Sequence, residues 1–157
     1  MKLNLGCGNE ILPEFINIDS RNISGVDKVS DIRNLSWVKD ASCKLVRMSH
    51  VIEHFKENEV ISILKECFRI LENYGIIEIY CPNAEKIAKD YIESKIPCKE
   101  FSRLLFGNQE YEENLHRLAI DRKRLDNMVM EVGFEIIGKE PRPNAYPYDL
   151  GVQCRKI

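Results

Sequence analysis

Residues 3–19, "LNLGCGNEILPEFINID", contain the pattern that is most informative about the fold of this chain. It begins with an apolar run, continues through two glycines that are one residue apart, and closes with an alternating run that ends on Asp19. The apolar run predicts a short buried strand over 2–5, and the alternating run predicts a second strand over 14–19. A glycine-rich turn therefore joins two strands, and an acid stands at the end of the second.

The glycines and the acid each have a structural and a chemical interpretation. Gly6 and Gly8 allow positive φ and let a ligand approach the backbone, but a lone Gly-x-Gly is also an ordinary turn. It is not a dinucleotide fingerprint, because Ile11 stands where that pattern needs glycine. Asp19 can accept two hydrogen bonds from a ribose diol, or it can cap the turn Ser20-Arg21-Asn22. Their shared place at strand ends favours the ligand interpretation.

The composition limits the classes of function. The chain has 157 residues, 44% of them hydrophobic and 31% charged, which predicts one globular domain over 1–157. Its net charge of −2 gives no general attraction to nucleic acid or to an anionic membrane surface. We also expect no membrane span, because no run of about 18 apolar residues occurs.

The six cysteines and the first residues suggest a cellular location. The cysteines form no Cys-x-x-Cys pair and suit neither a zinc ribbon nor a disulfide framework, so we expect reduced thiols, mostly in the core. Residues 1–6 are too short and too polar for a secretory signal. Together these features predict a cytoplasmic protein.

Strand and helix patterns alternate along the rest of the chain. Further strands are predicted over 26–31, 44–49, 76–81, 134–139 and 148–155; helices over 58–72, 84–95 and 121–132; and a less regular stretch to about 118. Such alternation predicts a mainly parallel sheet covered on both faces. Ligands bind such sheets beyond the carboxyl ends of the strands, where Gly6, Asp19, Asp31 and His50 are expected.

Residues 50–54, His-Val-Ile-Glu-His, spell the inverted zinc-protease pattern H-x-x-E-H. His50 and His54 could share a metal on one helical face. However, the stretch follows a strand instead of lying within a long helix, and the sequence offers no third ligand nearby. We therefore expect no metal. Glu53 and His54 are interpreted either as a hydrogen-bond cluster at a helix start or as groups that face a substrate.

Taken together, these motifs resemble the class I S-adenosylmethionine-dependent methyltransferases, in particular a small subgroup that begins at the first strand. The resemblance covers nearly the whole chain and rests on five segments: Leu3-Asn4-Leu5-Gly6-Cys7-Gly8, Asp19, Asp31-Ile32, Ser49-His50-Val51-Ile52-Glu53-His54-Phe55, and Phe68-Arg69-Ile70-Leu71 with the strand that follows it. It implies a Rossmann-like, doubly wound, three-layer α/β sandwich. The expected sheet has about seven strands, mainly parallel, with an antiparallel last strand.

The resemblance also implies S-adenosyl-L-methionine as the cofactor and assigns roles to individual residues. The implied cofactor-binding residues are Leu5, Gly6, Cys7, Gly8, Asp19, Ser20, Asp31, Ile32, Met48, Ser49 and His50. Asp19 would bind the ribose, Asp31 the adenine amino group, and Ile32 would pack on the adenine ring. The candidate catalytic residues are His116, Glu53 and His54, in that order.

Two departures from the family pattern leave two functions open. The family usually places a full helix between the glycine turn and the ribose acid, but only residues 9–13 are available here. The chain is either a methyltransferase acting on a small-molecule or glycan-like acceptor, or a non-catalytic binding module or partner subunit with the same fold.

No leading helices are present to cover the substrate. We therefore expect residues 84–118 to cover it as an insertion; a homodimer is the alternative.

Overall fold

The computed structural model describes residues 1–110, 112–139 and 146–157. Within these ranges the strands and helices are β1 Lys2–Leu5, β2 Ile16–Asp19, β3 Lys28–Val29, β4 Cys43–Ser49, α1 Glu57–Ile70, β5 Leu71–Pro82, α2 Ala84–Ile92, α3 Cys98–Phe106, α4 Arg122–Val132, β6 Phe134–Gly138 and β7 Asp149–Lys156. Short 3₁₀ turns occupy Ile52–His54 and Glu112–Asn114. Residues 141–145 of the proline-rich loop between the last two strands lie outside the described residues.

The strands form one sheet in the order β3-β2-β1-β4-β5-β7-β6. The pairs from β3 to β5 are parallel, and β7 runs antiparallel to both β5 and β6. The predicted Rossmann-like class, the seven strands and the antiparallel last strand are thereby confirmed. The strand order reverses between β1 and β4, so the carboxyl ends of these two strands flank the switch point where ligands bind.

Helix α1 forms because apolar residues recur at helical spacing along one side. Val60, Ile63, Leu64, Cys67 and Ile70 are all completely buried. The helix ends at Ile70, two residues before the predicted end, because Leu71 already pairs with Cys43 in the sheet. The register then shifts before Ile76 pairs with Leu45, and this irregularity absorbs the predicted turn at 73–75.

The apolar core lies on one face of the sheet, under α1 and α4. It joins the apolar positions of β1, β4, β5 and β7 to the buried sides of those two helices. Asp121 caps α4 by accepting a 2.7 Å hydrogen bond from the Arg124 amide, and Gly133 ends it at a φ of 105°. Five of the six cysteines are buried, all six are free thiols, and Cys98 is exposed. No helix in the described ranges has both the length and the apolar content needed to cross a bilayer.

The opposite face of the sheet carries a row of polar side chains that runs across five strands. In register order they are Asn17, Asn4, Arg47, Glu78 and Gln153. Neighbours in the row are bonded: Asn4 Nδ2 donates to Asn17 Oδ1 at 3.0 Å, and Gln153 Nε2 donates to Glu78 Oε1 at 3.0 Å. Asn4, Asn17 and Arg47 are buried even so.

The crossover loop between β1 and β2 covers the buried end of this row, at Asn17, Asn4 and Arg47. Asn4 Nδ2 donates to the Glu10 carbonyl at 2.8 Å, and Asn17 Oδ1 accepts from the Leu12 amide at 2.9 Å. Arg47 forms a 2.9 Å ion pair with Glu10. The crossover contains no helix, as its short length predicted, so a loop held by polar side chains supplies this layer of the sandwich.

The segment 84–118 contains one helix more than its sequence indicated. Helix α3 lies in the stretch that was expected to be less regular, so that expectation is wrong. It is a short amphipathic helix that begins after Pro97, and Tyr91 of α2 stacks on its Phe101 at 4.4 Å between ring centroids. The contact buries part of the apolar surface of the segment, but Ile92 remains 79% exposed and Phe106 47% exposed.

Candidate active site

The turn after β1 needs glycine at two positions. Gly6 has a φ of 63° and Gly8 a φ of 51°, in the left-handed region that other residues enter only with strain. A Cβ on Gly6 would also lie 2.7 Å from Val51 Cγ2, whereas a Cβ on Gly8 would meet nothing closer than 3.6 Å. Gly6 is therefore required by both conformation and space, and Gly8 by conformation alone.

Asp19 is buried and stabilises the glycine turn through a hydrogen bond from Gly8. Its Oδ2 accepts from the Gly8 amide at 2.8 Å, and its Oδ1 accepts from the amide and the Nε of Arg21, each at 3.0 Å. Burial raises the pKa of Asp19, but the hydrogen bonds from Arg21 and Gly8 outweigh it and leave the pKa below its usual 3.8. Asp19 therefore caps the turn that follows it, as one of the two interpretations predicted. Its carboxylate is also ionised and faces the cavity.

Asp31, after β3, repeats this arrangement. Arg33, two residues on, donates to Asp31 Oδ1 from its amide at 2.9 Å and to Oδ2 from its Nη2 at 2.6 Å. These hydrogen bonds from the Arg33 side chain hold the pKa of Asp31 below 3.8. Ile32 between them is buried. Asp19 and Asp31 thus each form an ion pair with the arginine two positions later in the chain.

A cavity of about 1170 Å³ opens at the carboxyl ends of the strands. Eleven of the sequence-predicted site residues line it: Gly6, Cys7, Gly8, Asp19, Ser20, Asp31, Ile32, Ser49, His50, His54 and His116. Leu5 and Met48 are completely buried in the core, and their side chains lie beneath the cavity wall. The opposite wall comes from 84–118 and includes Arg103, Asn108, Glu113 and Arg117.

His50 links the end of β4 to two buried carboxylates. Its φ of 55° is uncommon for a residue with a side chain. Its Nε2 lies 3.0 Å from Asp149 Oδ1, and its Nδ1 lies 3.4 Å from Glu53 Oε1. Burial opposes its charge, but the contacts with Asp149 and Glu53 raise the pKa of His50 to about 10. An imidazolium therefore faces the cavity at neutral pH.

Glu53, His54 and His116 form a second cluster beside His50. The ligand-type atoms of these three side chains lie within 4.8 Å of one another, and the two imidazole rings meet edge to face at 5.0 Å between centroids. The Glu53 carbonyl accepts from the Arg117 amide at 2.7 Å, which fixes the end of 84–118 beside the 3₁₀ turn. Burial lowers the pKa of His116 below 6.5, so its ring is neutral at neutral pH.

The side chains of residues 50–54 are therefore not arranged as the H-x-x-E-H pattern suggests, with His50 and His54 side by side. His50 turns toward Asp149, and His116 takes the place beside Glu53 and His54. The contact between His54 and His116 is a tertiary one that no local spacing reveals. The expectation that His50 and His54 bind no metal as a pair stays a prediction.

Sequence reasoning missed three residues that shape the site: Asp149, Arg21 and Arg33. Asp149 could have been found, because an antiparallel last strand begins at the edge where the parallel strands end. Its first residue therefore meets the site. The arginines had a weaker signal, the repeated Asp-x-Arg spacing after β2 and β3.

The residues present fit S-adenosylmethionine. The glycine turn leaves main-chain atoms at the cavity wall where side chains would fill the space. Asp19 accepts three hydrogen bonds, and its two oxygens have about four acceptor positions. A ribose hydroxyl can therefore take the remaining position or displace Arg21.

Comparison with known proteins agrees with this site. Residues 6–79 match the model of a methyltransferase domain family. An S-adenosylmethionine-dependent methyltransferase from Archaeoglobus fulgidus has a TM-score of 0.65 at 17% identity, over 98% of this chain and 85% of that chain. A Pyrococcus horikoshii protein has a TM-score of 0.69 at 19% identity, over 99% and 81%. A methyltransferase from Mesorhizobium loti has a TM-score of 0.64 at 14% identity, over 98% and 89%.

No curated protein sequence matches the chain. The family model covers the glycine turn, both acids and the 3₁₀ turn Ile52–His54, and the fold of the solved methyltransferases extends over the rest of the chain. The chain therefore has the fold of the S-adenosylmethionine-dependent methyltransferases and a methyltransferase domain match over residues 6–79, which supports S-adenosyl-L-methionine as its cofactor.

Proposed function

We propose that this protein transfers a methyl group from S-adenosylmethionine to a small-molecule or glycan-like acceptor. The observation that carries the proposal is the convergence of the glycine turn, two ionised aspartates and a histidine–glutamate cluster on one cavity. The cofactor supplies an electrophilic methyl group on a sulfonium, and the chain's residues bind it, orient the acceptor and exclude water.

The cofactor-binding roles follow the strand ends. The turn at Gly6 and Gly8 holds the methionine part, Asp19 binds the ribose, and Asp31 binds the adenine amino group. Ile32 gives the ring an apolar surface at the cavity wall. Both aspartates are ionised above pH 4 and act as hydrogen-bond acceptors, because their pKa values lie below 3.8.

The acceptor wall favours a neutral, hydroxyl-bearing molecule. Arg103 forms a 2.6 Å ion pair with Glu100, and Arg117 lies 3.5 Å from Glu112, so the positive charges of this wall are largely matched. Tyr146 and Tyr148 add aromatic surface at the rim. Aromatic faces between polar groups suit sugar-like rings and small polar molecules. The volume of the cavity, about 1170 Å³, is larger than the roughly 300–1,000 Å³ of a typical pocket for one ligand.

His116 is the residue that we propose as general base when the acceptor carries a proton to be lost. It lines the cavity, and its ring is neutral because burial lowers its pKa. Glu53 lies behind it, where its charge favours the imidazolium that would form. His54 lines the cavity beside them and is the remaining candidate.

We further propose that the segment 84–118 acts as a lid that covers the substrate at the carboxyl edge of the sheet. Its Arg117 and Leu118 amides donate to the Glu53 carbonyl, and Tyr148 donates to Asp90 of α2 at 3.0 Å. Hydrogen exchange with and without S-adenosylmethionine tests this role: protection should rise both in 84–118 and around the glycine turn. If the segment is already protected without ligand, and loses that protection only on dilution to monomer, a homodimer covers it instead.

The activity itself is tested with methyl-labelled S-adenosylmethionine and a panel of sugars and small alcohols, amines and thiols. We expect cofactor binding by calorimetry and label transfer to at least one acceptor class. Tight cofactor binding without transfer across the panel would favour the non-catalytic module. A folded protein that does not bind the cofactor would refute the proposal.

A further inference from the structure

All three histidines of the chain gather around one buried carboxylate, that of Glu53. We propose that Glu53, His54 and His116 bind one divalent transition-metal cation, with Zn²⁺ the ion that suits the site. The inference replaces the sequence-based expectation of no metal, because His116 supplies the third ligand that the sequence did not reveal. It deepens the proposed function by naming what the cluster holds. It rests on that function only for what the metal does, and not for whether the metal binds.

The donor set selects the class of ion. Two imidazoles and one carboxylate are the ligands of catalytic zinc sites, which keep a further position open, whereas Mg²⁺ and Ca²⁺ prefer oxygen ligands. Zinc bonds of about 2.0–2.2 Å place ligand atoms roughly 3–3.5 Å apart. The three groups already lie within 4.8 Å of one another. Small rotations of two half-buried rings would bring them onto one ion.

His54 is oriented as a metal ligand is, and His116 contacts the Leu105 backbone. His54 Nδ1 lies 3.3 Å from the Leu115 carbonyl. When one ring nitrogen donates to a carbonyl, the other keeps its lone pair for a metal, an arrangement typical of metal-ligating histidines.

Glu53 has a buried carboxylate whose hydrogen-bonding capacity is only partly used. Its side chain is 2% exposed; Oε1 contacts His50 Nδ1, and Oε2 has no hydrogen-bond partner among the described residues. The contact with His50 is long, at 3.4 Å, and His50 lies closer to Asp149, at 3.0 Å. Buried charges are normally paired, hydrogen-bonded or bound to a metal. A cation between Glu53 and the two histidines would satisfy this carboxylate.

The open side of the site faces the place where the acceptor is proposed to bind. His54 and His116 line the cavity, and Glu53 lies behind them. An acceptor oxygen or sulfur in the remaining position would lose its proton more readily, because a bound cation lowers the pKa of its ligand. With a cation bound, His116 would hold it instead of acting as a base, and the acceptor's proton would pass to solvent water.

The test uses untagged protein that has been treated with a chelator and then titrated with Zn²⁺, or with Co²⁺ as a spectroscopic probe. Calorimetry should give one equivalent of tightly bound metal. Co²⁺ should show the visible absorption of a low-coordinate nitrogen and oxygen site. The melting temperature should rise with metal, because the ligand binds the folded state. Neither cofactor nor acceptor is present, so failure here would not be failure of methyl transfer.

Variants separate this site from the one suggested by the sequence pattern. His116→Ala and Glu53→Gln should lose stoichiometric binding and the cobalt spectrum while their melting temperatures without metal show that they are folded. His50→Ala should still bind one equivalent, weakened about 10–100-fold as expected for a residue that only orients a ligand. Glu113→Gln, an exposed acid of the same wall, should bind as wild type. Less than one equivalent in wild type, or unchanged binding in a His54→Ala His116→Ala variant, would overturn the proposal.

Discussion

Asp19→Ala is the substitution that tests the cofactor site most directly. The carboxylate accepts from the Gly8 amide at 2.8 Å and from two Arg21 donors at 3.0 Å, so it holds the glycine turn and faces the proposed ribose position. A hydrogen bond to a charged group contributes about 1.5–3 kcal/mol. We expect the free energy of S-adenosylmethionine binding to weaken by about this amount, which is roughly a 10- to 150-fold rise in Kd.

The matched control is Asp27→Ala. Asp27 accepts hydrogen bonds from the backbone amide of Asn17 at 2.7 Å and from the Asn17 side chain at 3.1 Å. It therefore also stabilises β2, but it does not line the cavity. Asp19→Ala should lose about 1–3 kcal/mol of unfolding free energy, and Asp27→Ala should lose less because its carboxylate is exposed. Only Asp19→Ala should lose cofactor affinity.

Calorimetry at pH 7, with unfolding by urea measured alongside, gives both quantities. Asp19→Asn should fall between wild type and Asp19→Ala, because its amide keeps one acceptor oxygen but loses the charge. A folded Asp19→Ala protein with wild-type affinity for S-adenosylmethionine would refute the reasoning and leave Asp19 as a turn cap alone.

The remaining predictions concern the glycines and Asp31. Gly6→Ala should destabilise the fold by about 2–4 kcal/mol in urea unfolding, because strain at positive φ adds to a methyl 2.7 Å from a neighbouring side chain; Gly8→Ala should lose only about 1–2 kcal/mol. Equal losses would contradict the packing argument. Arg33→Ala removes the donors that lower the pKa of Asp31. Wild type should exceed Arg33→Ala in stability above about pH 4, and this advantage should shrink as pH falls through the folded pKa, below 3.8. A difference that is constant from pH 3 to 7 would contradict it.

The fold followed from the sequence because its signals are local. Alternating apolar residues at 14–19 and helical spacing at 58–72 each marked an element, and glycine marked the turn between the first strands. The order of elements then predicted a parallel sheet with its site at the strand ends. Helix α3 was missed because it is short and lies in a segment where much of the apolar surface packs on a neighbouring helix.

The site was predictable only where it lies next to a strand end. Gly6 directly follows β1, Asp19 ends β2 and Asp31 lies two residues after β3, so their position follows from the topology. The contacts of His116 with Glu53, and of His50 with Asp149, join distant parts of the chain. The His116 contact depends on how the segment 84–118 folds back, which no spacing in the sequence specifies, whereas the Asp149 contact follows from the antiparallel direction of β7.

The short first crossover explains why polar residues are buried on one face of the sheet. In the family a helix usually covers this region, and apolar strand residues would pack against it. Here Asn4 and Asn17 bond the loop backbone, and Arg47 pairs with Glu10 on the same loop. Buried polar groups are tolerated when they are hydrogen-bonded, and this network satisfies the backbone of a loop too short to satisfy itself as a helix. The same loop begins with the glycine turn, so the polar row positions the cofactor cradle where a helix would otherwise do so.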